Sequence, residues 1–379
     1  MKMKSLRIAI TLLALFVPYT SLHTQQGISS TNQGYSMKIQ MDNRGVFGLQ
    51  AYPGGAQNPN GLGLEYPAGT TVEHLFGSGI WVGGLLDTTA SGSGTRIRVV
   101  STGYQGWEGP LFEFYPGSSP ADTIWKTFGI GDPEPPGWSA YWGSLLPFRP
   151  LSDNDNHCLY SDNNVVVSGA VPMRLKVAQS SFSWNHPYAD GILIVEYRIV
   201  NAGPWTIDSA YIGLFSEIDV GEIGESLYFM DDYSGYYPSL RTGFVASPLS
   251  FGSTPVGIRL LEAPRPWDSL RITFQWYPGI QSPFPDSVRY SLLSSGAIRP
   301  DEYPALSDTR FLLGCGPFQI RPSGDPNPDT LKFAVAFIAA ENLVELRDAG
   351  VRALDIYQNG IPIAGIKSSR HSNEQGGLQ

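Results

Sequence analysis

Charge is sparse in this chain. Only 16% of its 379 residues are Asp, Glu, Lys or Arg, and 34 acidic residues outnumber 25 basic ones, leaving a net charge of −9. No Lys- and Arg-rich run follows the extreme N-terminus. Phosphate backbones are held by basic faces, so this balance argues against a nucleic-acid partner and for solubility or cation binding. Cysteine is limited to two residues and histidine to five, with no HExxH and no paired CxxC. Those spacings give zinc no recognisable site. The G-x-S-x-G elbow, the phosphate-binding loop and the dinucleotide fingerprint are missing too, and no residue set amounts to a catalytic centre. The apolar run at 8–17 covers ten positions. At about 1.5 Å per residue it cannot cross a hydrocarbon core of about 30 Å, so no transmembrane anchor is expected in the mature chain.

Glycine and proline are plentiful instead, at 43 and 30, with 19 Tyr, 18 Phe and 9 Trp. That mixture suits many strands joined by turns, and the length allows one large core or two ordinary ones. The clearest strand pattern lies in 191–219. Leu193, Val195, Tyr197 and Ile199 share one face, with Glu196 and Arg198 among the residues of the other. Asn201-Ala202-Gly203-Pro204 interrupts, and 207–215 resumes as strand with Tyr211, Ile212, Leu214 and Phe215. The pattern predicts a hairpin-like pair at the centre of a β-sandwich. Further strands are expected at 38–49, 72–86, 96–103, 112–115, 123–128, 165–171, 175–184, 242–246, 255–261, 269–277, 309–313 and 332–340. The last is apolar on both faces, as in a central strand. Gly77, Gly79, Gly83 and Gly84 predict bulges or close backbone approach. One helix is expected at 341–358, with Leu343, Leu346, Gly350, Leu354 and Tyr357 as its apolar stripe and Asn359-Gly360 and Pro362 as its stop. The fold class is all-β: a β-sandwich, one large or two closely packed units, with one C-terminal α-helix.

Residues 1–24 read as a signal peptide, since Lys2, Lys4 and Arg7 precede the apolar run and Pro18 closes it. Cleavage near Thr24 leaves a mature charge of −12. The rest divides into an N-terminal β-rich region at 25–165, a sandwich with its helix at 166–362, and a polar, disordered tail at 363–379. Export places the protein in the periplasm, on the outer membrane or outside the cell. Two alternatives stand for Cys158 and Cys315. A disulfide between them contributes about 4–5 kcal/mol through its long loop; otherwise they are two buried thiols.

Two groups of oxygen-bearing side chains are candidate calcium ligands. Asp153, Asp155, Asn156 and Asp162 form one; Glu217, Asp219, Glu222, Asp231 and Asp232 form the other. Calcium takes 6–8 oxygens in flexible geometry, although neither group has EF-hand spacing. The competing reading is solvated loops with Asx-turns. Glu217 with Asp219 is also the only pair to name for glycoside hydrolysis. Trp107, Trp138, Trp142, Tyr236 and Tyr237 lie in Gly/Pro-rich or aromatic loops. They either stack on sugars or pin long loops to the core, and the second is favoured. Trp81, Trp184, Trp205 and Trp276 are expected in the core.

Several phrases occur together in order: FGSGIWVGG at 76–84, VEYRIVNAGPWTIDSAYIGLFSEID at 195–219, DDYSGYYPSLRTGF at 231–244, PVGIRLLEAP at 255–264, RFLLGCGPFQI at 310–320, and 333–357. The set resembles large, mostly uncharacterised secreted bacterial proteins that often end in a fibronectin- or FlgD-like Ig domain or a type IX (Por) secretion-sorting tail. No such domain follows Tyr357 here. The resemblance implies an exported β-rich protein. The expectation is a non-enzymatic structural or binding module of the cell envelope or exterior, with a glycan or envelope protein as partner. The alternative is a carbohydrate-binding or glycoside hydrolase-like protein.

Overall fold

The computed structural model describes residues 28–51, 63–87, 96–106, 112–164, 170–221, 228–248, 254–279 and 285–362. The expected signal peptide, the tail, most of the strand at 165–171, Trp107 and Glu222 lie outside them.

Three antiparallel sheets form the body. The small one joins β1 (Ser29–Gln33), β2 (Lys38–Asp42) and β3 (Leu64–Glu65). Five strands follow the order β14 (Arg271–Pro278), β15 (Thr309–Ile320), β10 (Ile207–Ile218), β4 (Leu75–Asp87) and β5 (Arg96–Thr102). In the eight-stranded sheet the order begins β11 (Tyr233–Tyr237), β12 (Thr242–Ala246), β13 (Val256–Glu262) and β16 (Thr330–Ala339). It ends β9 (Ile192–Asn201), β8 (Leu175–Ser183), β7 (Asn154–Ser161) and β6 (Trp125–Thr127). The fold is all-β, as the alternation predicts.

The main core lies between the two large sheets. Leu193, Val195, Tyr197 and Ile199 of β9 and Phe333, Val335 and Phe337 of β16 meet Ile80 and Val82 of β4, Ile212 and Leu214 of β10, and Phe311 and Leu313 of β15. Each fully buried side chain of this size contributes roughly 1.5–3 kcal/mol. The other face of β9 and β16 is apolar as well. Ile192, Ile194, Ala334, Ala336 and Ile338 pack under helix α3 (Leu343–Asn359). The outer face of the five-stranded sheet is covered by helix α2 (Asp286–Leu293), whose Tyr290 and Leu293 pack with Trp81, Tyr211 and Phe215.

Three corrections concern elements. β9 and β10 do not form a hairpin: they lie in opposite sheets, each away from the edge. The 201–204 turn instead carries the chain across the sandwich. Asn201 fastens the crossing, its side-chain amide donating to Trp205 O (2.6 Å) and to Ile320 O (3.1 Å). Trp205 itself is 42% exposed at this crossing rather than in the core. The buried stripe of α3 is Leu346, Ala349, Gly350, Ala353, Ile356 and Tyr357, whereas Leu343 and Leu354 are half-buried at its margin. Small residues define that stripe because β16 offers Ala334 and Ala336 beneath it.

Candidate functional site: buried carboxylates where β10 ends

Along β10 the side chains alternate. Ile212, Leu214 and Ile218 point into the sandwich, and Tyr211, Phe215 and Glu217 belong to the outer face. Register sets Glu217 opposite Arg310 on β15 and Gly77 on β4. Both charged residues are buried, and Arg310 Nη2 lies 2.5 Å from Glu217 Oε1. The other guanidinium nitrogen, Nη1, donates to Gly279 O at 2.9 Å. The Tyr104 hydroxyl donates to Glu217 Oε2. Its ring reaches that oxygen by lying flat on β4: a Cβ at Gly77 would stand 2.4 Å from the ring. The close approach expected of Gly77 and Gly79 is therefore an approach by Tyr104, further tied by Trp81 Nε1 donating to Tyr104 O (2.5 Å). Burial, then the Glu217 charge, pushes the Tyr104 phenol well above its ordinary value.

Beyond Glu217 the chain turns. Asp219 N donates to His74 O (3.2 Å), and Val220 N donates to Asp232 Oδ2 (3.0 Å). The Asp232 carboxylate is thus seated on the peptide that follows Asp219. Asp232 is fully buried and Asp219 is 9% exposed. The Oδ1 atom of each is buried without a hydrogen-bond partner among the described residues. Burial, then neighbouring Glu217 and Asp308, holds the Asp219 carboxyl well above its usual range. Asp232 is pushed up to about 9, by burial first and then by Asp219, Asp231 and Asp308, against the Val220 hydrogen bond. The Asp231 carboxylate accepts from Ser247 Oγ at 2.8 Å. Sequence reading places Glu217, Asp219, Asp231 and Asp232 together here, but it misses Tyr104, Asp308 and Arg310. A single Arg heading the apolar run 311–315 was the available signal, since buried Arg requires a counter-charge.

The other acidic group does not converge. Asp155 and Asp162 stand seven residues apart along β7 and its continuation, about 23 Å at strand rise. Each organises its own loop. Asp155 accepts from Leu151 N (2.7 Å), Ser152 N (3.0 Å), the Ser152 hydroxyl and Thr127 Oγ1 (3.0 Å). Asp162 accepts from Ser101 Oγ (2.7 Å), Met173 N (2.8 Å) and Leu175 N (2.7 Å). Burial raises both to about 6. Asn156 joins Asn32, Ser30 and Asn154 in a side-chain network, and Asp153 accepts from Asn185 N (2.8 Å). Among the described residues, no three His, Cys or acidic side chains are grouped to hold a metal ion.

The aromatic candidates turn inward. Trp138 and Trp142 are buried in the short helix α1 (Trp138–Trp142). Trp138 Nε1 donates to Leu146 O (3.0 Å), and its ring meets Trp125, Phe148 and His157 edge-on. Tyr236 stacks on Phe274 and Tyr237 on Phe244. These rings pin loops and neighbouring strands, so a sugar-stacking role for Trp138, Trp142 and Tyr236 is overturned by their burial. Trp81 and Trp184 are in the core as expected, while Trp276 is half-buried under Arg299, 3.5 Å above its ring. Cys158 and Cys315 are free thiols, buried on β7 and β15 of opposite sheets, so the disulfide alternative falls. Among the described residues, no helix is long and apolar enough to cross a membrane. No protein-family model matches the chain, and no curated protein matches it at a significant level.

Proposed function

We propose that this protein is an exported, non-enzymatic structural or binding module of the cell envelope or exterior, allied to the secreted bacterial proteins its ordered phrases resemble. One observation carries the reading: Glu217 and the tryptophans that would grip a sugar, Trp138 and Trp142, are engaged inside the fold. Glu217, the only carboxylate named for hydrolysis with Asp219, is locked between Arg310 and Tyr104. Trp138 and Trp142 are buried under their own loops. An N-terminal leader pattern supports export. The test is expression of the whole chain in a Gram-negative host, with fractionation, N-terminal sequencing and covalent cross-linking. The expected result is a chain trimmed near residue 24, recovered outside the cytoplasm and cross-linked to an envelope component. An untrimmed cytoplasmic chain would overturn the export reading. Hydrolysis of a polysaccharide panel, abolished by Glu217→Gln without loss of the folded spectrum, would overturn the non-enzymatic one.

A further inference from the structure

We propose that Asp219 and Asp232 bind a hard divalent cation, calcium in preference to magnesium, at the point where β10 leaves the sandwich. Main-chain contacts hold both residues in place. Asp219 N is bonded to His74 O, Asp232 Oδ2 receives Val220 N, and Ser307 N donates to Asp232 O (2.9 Å). Those contacts hold the backbone of both residues and one oxygen of Asp232, and leave one buried oxygen of each side chain, Oδ1, with no donor among the described residues. A carboxylate oxygen in that state is unfavourable unless a cation or a proton meets it. Arg310 is the cation of the neighbourhood, and its guanidinium is held by Glu217 at 2.5 Å and Gly279 O at 2.9 Å, with Asp308 at 3.6 Å. Asp219 and Asp232 lie close enough for the charge of one to act on the other, and both orphaned oxygens are buried at the same turn.

The donor chemistry selects the ion. His74 turns its Nε2 to Tyr66 O (3.0 Å), and both cysteines lie in the core away from the turn, leaving carboxylate oxygens. Oxygen donors suit calcium or magnesium rather than zinc or copper. Two carboxylates without a third give a site that must take water or main-chain carbonyls for its remaining positions. Calcium tolerates such irregular geometry, whereas magnesium demands a near-ideal octahedron. An affinity of about 10⁻⁴–10⁻³ M follows, the range of weak extracellular calcium modules.

The experiment uses the full chain, stripped with a chelator and titrated with calcium chloride by calorimetry and by thermal melting at neutral pH. One equivalent binds and the melting temperature rises; magnesium at equal concentration raises it less. Asp232→Asn and Asp219→Asn each weaken binding by about tenfold or more while keeping the far-ultraviolet spectrum. Asp153→Asn, from the other acidic group, binds as the parent does. Absence of calcium binding would overturn the proposal, as would binding retained in both Asp219→Asn and Asp232→Asn, or lost in Asp153→Asn.

Discussion

Glu217 and Arg310 face each other across β10 and β15 with both side chains out of water. Deleting one member of such a pair leaves an uncompensated charge and costs about 3–5 kcal/mol, whereas replacing both with apolar groups is often nearly neutral. Arg310→Met should therefore lower the free energy of unfolding by about that amount in urea titrations, and Glu217→Leu/Arg310→Met should recover much of it. A double-variant loss equal to the sum of the two single-variant losses would show that the pair carries no coupling. His157 gives a second residue-scale prediction. Its ring is buried edge-on to Trp138, with Nδ1 2.8 Å from Ser180 Oγ, and burial holds its pKa down to about 3. The unfolded chain accepts that proton near 6.5, so the His157 contribution is present above pH 6.5 and declines as pH falls toward 3. Asp155 and Asp162, raised to about 6, pull the other way, but equally in parent and variant. Unfolding measured from pH 7 to 5 should show the parent losing about 1.4 kcal/mol per pH unit relative to His157→Asn below 6.5. Parallel pH profiles would contradict this assignment.

At the scale of elements, α3 separates what patterning reveals from what it hides. The helix, its bounds to within two residues and its stop at Gly360 are legible in 341–358, because apolar spacing and capping residues are local signals. The buried face keeps Leu346, Gly350 and Tyr357 of the expected stripe; that Ala349, Ala353 and Ile356 complete it, with Leu343 and Leu354 at its margin, depends on packing over Ala334, Ala336 and Ile338 that no local signal encodes. Ala353→Leu should cost about 1–3 kcal/mol by overpacking, and Asn342→Ala about 1 kcal/mol, because Asn342 Oδ1 accepts from Val344 N and Glu345 N, both at 3.0 Å. Chemical denaturation reads both; an Ala353→Leu variant as stable as the parent would place that face in solvent. β7 shows the opposite failure. Its sequence NDNHCLYS reads as a polar loop because Asp and Asn are poor strand formers, yet it pairs with β8 along its whole length. Besides local bonds to Leu151, Ser152 and Asn154, Asn156 reaches Ser30 and Asn32 on β1 and Asp155 takes Thr127 on β6, contacts distant in sequence that no local pattern encodes. The same distance explains the candidate site: the clustering of Glu217 with Asp219 and Asp232 is visible locally, and their pairing with Tyr104 and Arg310 is not.

For the molecule as a whole, the division at residue 165 meets a sheet topology that ignores it. β7 pairs with β8, and β4 pairs with β10, so both large sheets contain strands from both sides of that boundary. The core between them draws Ile80 and Val82 from one side and Leu193, Val195 and Leu313 from the other. Neither portion can bury its apolar faces alone, and an isolated sheet with an uncovered face has no independent stability. Calorimetry of the full chain should accordingly give one cooperative transition, with tryptophan fluorescence and near-ultraviolet dichroism melting together. Residues 25–165 and 166–362 produced separately should each lack that transition, and mixing them should restore it only if the two pieces pair β4 with β10. Two independent transitions in the intact chain, or a cooperative melt in either piece alone, would mean that the shared core is not the unit that folds.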